Sequence, residues 1–133
     1  MTPLAERANA FELKRQGHFE ESIQAYSDFY ADALRQQNAY IGQLCFDQMF
    51  DIELLRLARD QVIFESAASL RSKIQHHLSD LLKAREALDE ELFQQHFADA
   101  WRKFSPRGRG RSQFSVGRDA FARSMGAGAR EID

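Results

Sequence analysis

Residues 43–105 contain neither glycine nor proline, and their apolar side chains recur at three- and four-residue steps. A stretch without breakers and with that period predicts long amphipathic helix. Leu70, Ile74, Leu78, Leu81, Leu88, Leu92, Phe93, Phe97 and Trp101 keep returning to one side of a 3.6-residue wheel, while Arg71, Lys73, Lys83, Glu90 and Glu91 fall largely outside it. That face needs apolar partners. A single helix over 51–104 would be about 80 Å long at 1.5 Å per residue, out of proportion to a chain of 133 residues. A bend near Ser66 is therefore expected, since Ser66-Ala67-Ala68-Ser69 offers small residues and a cap; a homodimer along the Leu70, Ile74, Leu81, Leu88, Leu92 seam is the alternative.

Toward the N-terminus, Thr2 is a good cap and Pro3 a good first helical residue, because proline has no N–H to leave unpaired there. Gln16-Gly17-His18 stops this helix through a glycine able to take positive φ. A second apolar face follows at Phe19, Ile23, Tyr26, Tyr30, Ala33 and Leu34, with Glu20 and Glu21 at the positive end of the helix dipole. So short a connection makes the two helices an antiparallel hairpin. Tyr40, Ile41, Leu44, Cys45, Phe46, Met49 and Phe50 are too apolar for a solvent loop. The predicted helices are 3–16, 19–37, 39–65 and 69–104, giving an all-α fold: a bundle of about four helices over 1–105.

The string Ala10, Leu13, Gln16-Gly17-His18-Phe19-Glu20-Glu21-Ser22-Ile23 and Tyr26 resembles the turn and second helix of a tetratricopeptide repeat. The resemblance covers about residues 6–37. One copy is present, and solenoid repeats need neighbours to bury their faces, so the unit is read as one hairpin of that style.

Charge divides the chain. Residues 1–101 hold ten Lys and Arg against seventeen Asp and Glu, a net −7, and residues 102–133 hold eight against three, a net +5. Pro106 and five glycines then mark 106–133 as a basic Gly/Arg-rich tail, in which Ser115 caps a short predicted helix carrying Val116, Ala120, Phe121 and Met125. Within it, Pro106-Arg107-Gly108-Arg109-Gly110-Arg111 resembles the core of an AT-hook. That resemblance implies Arg107, Arg109 and Arg111 in the minor groove of A·T-rich DNA; the same arginines suit RNA or an acidic protein face.

Catalytic signatures are sparse. His76 and Asp80 stand at i, i+4 and could share an ion, but His77 diverges by about 100° on a helix, and two ligands do not make a metal site. Cys45 lies in an apolar run, where a small buried thiol is the ordinary reading. There is no Gly-x-Ser-x-Gly elbow and no phosphate-cradling glycine loop. Neither cofactor nor metal is expected, and the chain is not read as an enzyme. No membrane span or leader is evident, so a cytoplasmic location is expected. The expected function is a protein-interaction module, of adaptor, chaperone or inhibitor type, binding another protein through Phe93, Phe97 and Trp101. The alternative is a nucleic-acid-associated regulator acting through the tail arginines.

Overall fold

The computed structural model describes residues 3–104, with side chains from Arg7 onward. Five helices form in order: α1 (Pro3–Arg15), α2 (Phe19–Arg35), α3 (Ala39–Arg59), α4 (Ala67–Lys83) and α5 (Glu90–Phe104). No strand occurs among the described residues. The fold is all-α, with five helices where about four are expected.

The extra helix comes from a break inside the stretch that lacks glycine and proline. Glu86 takes φ 53° and the N–H of Ala87 bonds back to the carbonyl of Leu82 at 2.9 Å, closing α4. Asp89 then starts α5, its side chain accepting from the N–H of Leu92 at 3.1 Å, with Glu90 and Glu91 at the positive helix end. The earlier helix, expected to reach residue 65, stops at Arg59. Ser66 caps α4 by accepting from Ser69 N–H at 3.1 Å, so the chain does bend there.

All four closures between helices share one hydrogen-bond pattern. In each, an N–H bonds to the carbonyl five residues earlier: His18 to Leu13, Asn38 to Ala33, Val62 to Leu57 and Ala87 to Leu82. The residue before the donor sits at positive φ, the geometry of a Schellman turn. Gly17 fills that place once, at 85°, while Gln37, Gln61 and Glu86 fill it at 53–56° despite their side chains.

Small residues set the close approaches. Ser22 Oγ donates to the carbonyl of Ala10 at 2.7 Å, bringing α2 against α1. At Gly42 on α3 a Cβ would lie 3.3 Å from His96 Cε1, 3.8 Å from Tyr30 and 3.9 Å from Ala33, so the glycine admits three helices to one point.

Helix α3 is central and buried on nearly all sides. Phe46 and Phe50 join α3 to α5: the Phe46 ring lies 5.4 Å from Phe93, and Phe50 lies 5.7 Å from Phe97 and 5.9 Å from Phe104, centroid to centroid. These edge and tilted contacts are the favoured aromatic geometries. Leu70, Ile74, Leu78 and Leu82 of α4 are fully buried. Of the seam that motivated a homodimer, Leu70, Ile74 and Leu81 are buried within the chain, while Leu88 and Leu92 are half-buried.

Candidate functional site

A run as apolar as Phe46 to Leu57 can carry a carboxylate only if a cation or hydrogen-bond donor comes with it. Helix α3 buries three. Asp47 Oδ2 meets Lys103 Nζ of α5 at 2.6 Å, while its Oδ1 accepts from Gln43 Nε2 at 2.8 Å. Asp51, one turn later, meets Lys14 Nζ of α1 at 2.5 Å, and Lys14 also donates to Gln48 Oε1 at 2.9 Å. Glu53 takes two bonds from Arg56, at 2.9 and 2.8 Å, and His77 Nε2 of α4 lies 3.4 Å from it.

The middle pair floors an open groove of about 360 Å³ between the end of α1, the start of α2 and α3. Phe11, Phe19 and Leu55 make its apolar walls, Lys14, Gln48 and Asp51 its polar floor, and Arg15, paired with Glu12, stands at its rim beside Gly17. Phe11 is 44% exposed. Arg59 lies over the Phe19 ring, 5.3 Å from its centroid, and is held there by Glu20 at 2.9 Å. This pair pulls the Glu20 carboxyl below its ordinary range. The groove therefore offers three apolar side chains around an ion pair that is already neutralised. Such a surface suits an apolar side chain.

A second polar contact is sealed in the core. The Tyr30 hydroxyl lies 2.8 Å from His96 Nδ1. Burial holds His96 below the usual histidine range, which favours the neutral ring in this hydrogen bond. Burial likewise pushes the Cys45 thiol up to about 11, which leaves it protonated and unreactive near neutrality.

The residues expected to meet a partner are placed differently. Phe93 and Phe97 are each 1% exposed, because α3 supplies the aromatic surface that their face requires. Trp101 is half-buried at the edge, stacked on Phe97, with Arg71 of α4 over both rings at 5.5–5.6 Å. His76 pairs with Asp80 at 3.2 Å on the outer face of α4, while His77 turns toward Glu53, so the two imidazoles diverge. Among the described residues no three His, Cys, Asp or Glu side chains are grouped to hold a metal ion. Arg107, Arg109 and Arg111 lie outside the described residues, as does the short helix expected after Ser115. No described helix is long and apolar enough to cross a membrane.

Sequence reasoning overlooked Lys14, Asp47, Asp51 and Glu53. The signal was present: Asp47 and Asp51 stand at i, i+4 inside the apolar run, and an acid in a buried segment demands a cation from another helix. Compared with known proteins, the chain matches no family model, no curated protein and no solved structure.

Proposed function

We propose that the protein is a non-catalytic interaction module that takes an apolar segment of another protein into the groove between α1, α2 and α3. The observation that carries this reading is the exposed ring of Phe11, set with Phe19 and Leu55 around the closed Lys14–Asp51 pair. Apolar walls around a closed ion pair gain from burying a partner's aliphatic or aromatic anchor. The acidic balance of residues 1–101, net −7, steers basic segments toward the body as a whole, while the apolar anchors carry the contact at the groove. Chemistry at the histidines and the cysteine adds nothing to this role: His96 and Cys45 are core residues, and His76 is in a surface pair.

The test uses the full chain as bait beside Leu55→Asp and Phe11→Asp variants, whose folding is checked by circular dichroism. A protein retained by the wild type is purified and titrated directly. The expected result is a loss of at least about tenfold in affinity in each variant, with binding that persists at 1 M salt, where the screening length is about 3 Å. Equal affinity of wild type and both groove variants would remove the groove from this role.

A further inference from the structure

The chain leaves α5 close to the groove. Phe104 packs on Phe50, and Lys103 pairs with Asp47, which lies one helical turn from Asp51 on the groove floor. The sequence continues to residue 133. Residues 105–113 can span up to about 30 Å at full extension, roughly 3.3 Å per residue, so even a half-extended linker exceeds the offset of one turn. Beyond them come Phe114, Val116, Phe121 and Met125, with Arg118, Asp119 and Arg123 between. Phe121 and Met125 are spaced by one helical turn.

The apolar anchors are the chemistry the groove selects, and residues 114–125, with two arginines and one aspartate, carry net +1 toward a body whose residues 1–101 carry net −7. Tethering adds to the match, because a short linker holds the segment at about millimolar effective concentration and even modest contacts are then populated. Resting on the groove reading above, we infer that residues 114–125 of this same chain fill the groove in the absence of a partner, and that a partner must displace them. The tail is then a built-in competitor. It sets a threshold that only a tighter or more abundant segment passes.

The experiment keeps the full chain. A nitroxide is attached to a cysteine introduced by Glu12→Cys on the exposed side of α1 near the groove, or by Glu90→Cys in the first turn of α5, about 21 Å along that helix from Phe104. The buried, protonated Cys45 stays unlabelled. The methyl signals of Val116 and Met125 are expected to broaden at least about threefold more from the Glu12 position than from Glu90, unchanged on dilution, and to sharpen in Phe121→Asp. Equal broadening from both positions overturns the inference. Broadening only when spin-labelled and isotope-labelled chains are mixed also overturns it, in favour of the tail of a second copy. Partner titration separates this from the groove reading: Phe121→Asp should strengthen partner binding by about threefold or more. If instead Leu55→Asp leaves a partner unaffected while the broadening persists, the interaction role fails and the self-docked tail stands.

Discussion

Lys14 on α1 and Asp51 on α3 face each other at 2.5 Å, and both side chains are buried, at 8% and 1% exposure. Desolvating two ions offsets much of their attraction, so the pair contributes little beyond an apolar pair of similar size. Removing one member is different, because the other charge is stranded. Lys14→Met and Asp51→Leu should each cost about 3–5 kcal/mol, and the double variant should recover most of that loss. Urea unfolding of the four proteins measures the cycle. Additive losses in the double variant would show that the two side chains act independently.

The Tyr30–His96 contact makes stability sensitive to acid. His96 has its folded pKa lowered chiefly by burial, with Asp99 raising it and Lys103 lowering it further. In the unfolded chain the imidazole titrates near 6.5. As pH falls below about 6.5 the unfolded state takes up the proton first, so stability present above that value is progressively lost toward the folded pKa. Thermal unfolding between about pH 7.5 and 5.5 should show a falling melting temperature. His96→Asn should flatten that slope while lowering stability throughout.

Three of the four helix closures carry a side chain where the backbone favours glycine. Gln37→Gly, Gln61→Gly and Glu86→Gly should each raise stability by about 0.5–1 kcal/mol, since a side chain in the left-handed region costs about 1–2 kcal/mol and glycine returns part of that as unfolded-state entropy. Gly17→Ala should lower stability by a similar amount. No atom lies within 4 Å of the Cβ it would add, so the loss would be one of backbone conformation alone. Differential scanning calorimetry resolves shifts of this size.

Nucleic acid provides the contrast to a protein partner. Labelled A·T-rich duplex, mixed duplex and single-stranded RNA should bind weakly, with little sequence preference and a steep dependence on salt. Replacing Arg107, Arg109 and Arg111 by Ala should reduce the log–log salt slope by up to about 2.7, the value for three phosphate contacts. Tight binding at physiological salt that disappears in the triple variant would make the tail arginines the principal functional site.

Much of this architecture was legible before any coordinates. Gly17 announces its turn because positive φ is nearly free for glycine, and Ser66 announces a helix start because its hydroxyl can cap. The break at Glu86 was not legible, since the same turn is made there without glycine; Asp89 followed by two glutamates was its only local mark. The groove was hidden for another reason. Its walls come from Phe11, Phe19 and Leu55 on three helices, and their meeting is decided by tertiary packing that no single periodic face encodes. Phe93, Phe97 and Trp101 suggest a partner-binding face because an amphipathic stripe does not state whether its complement lies in the same chain; Phe93 and Phe97 find theirs on α3.

The three carboxylates on α3 also bear on which wrong structures the chain avoids. Two of their counter-charges come from other helices, Lys14 on α1 and Lys103 on α5, whereas Glu53 is paired by Arg56 of α3 itself and fixes no register. Leucine and phenylalanine surfaces tolerate sliding by a turn with modest loss, so an aromatic core such as this one has many near-miss arrangements. Ion pairs do not tolerate it. Were α1 displaced by one turn, Ala10 or Phe11 would stand where Lys14 meets Asp51, and a bare carboxylate would be sealed in apolar surroundings. Each misaligned decoy therefore carries a penalty that the native arrangement lacks, widening the gap that makes folding single-minded. A chain with all of these charges replaced by apolar residues would keep its helices and compactness yet lose sharp side-chain dispersion in its NMR spectrum, the mark of a core populating several registers at once.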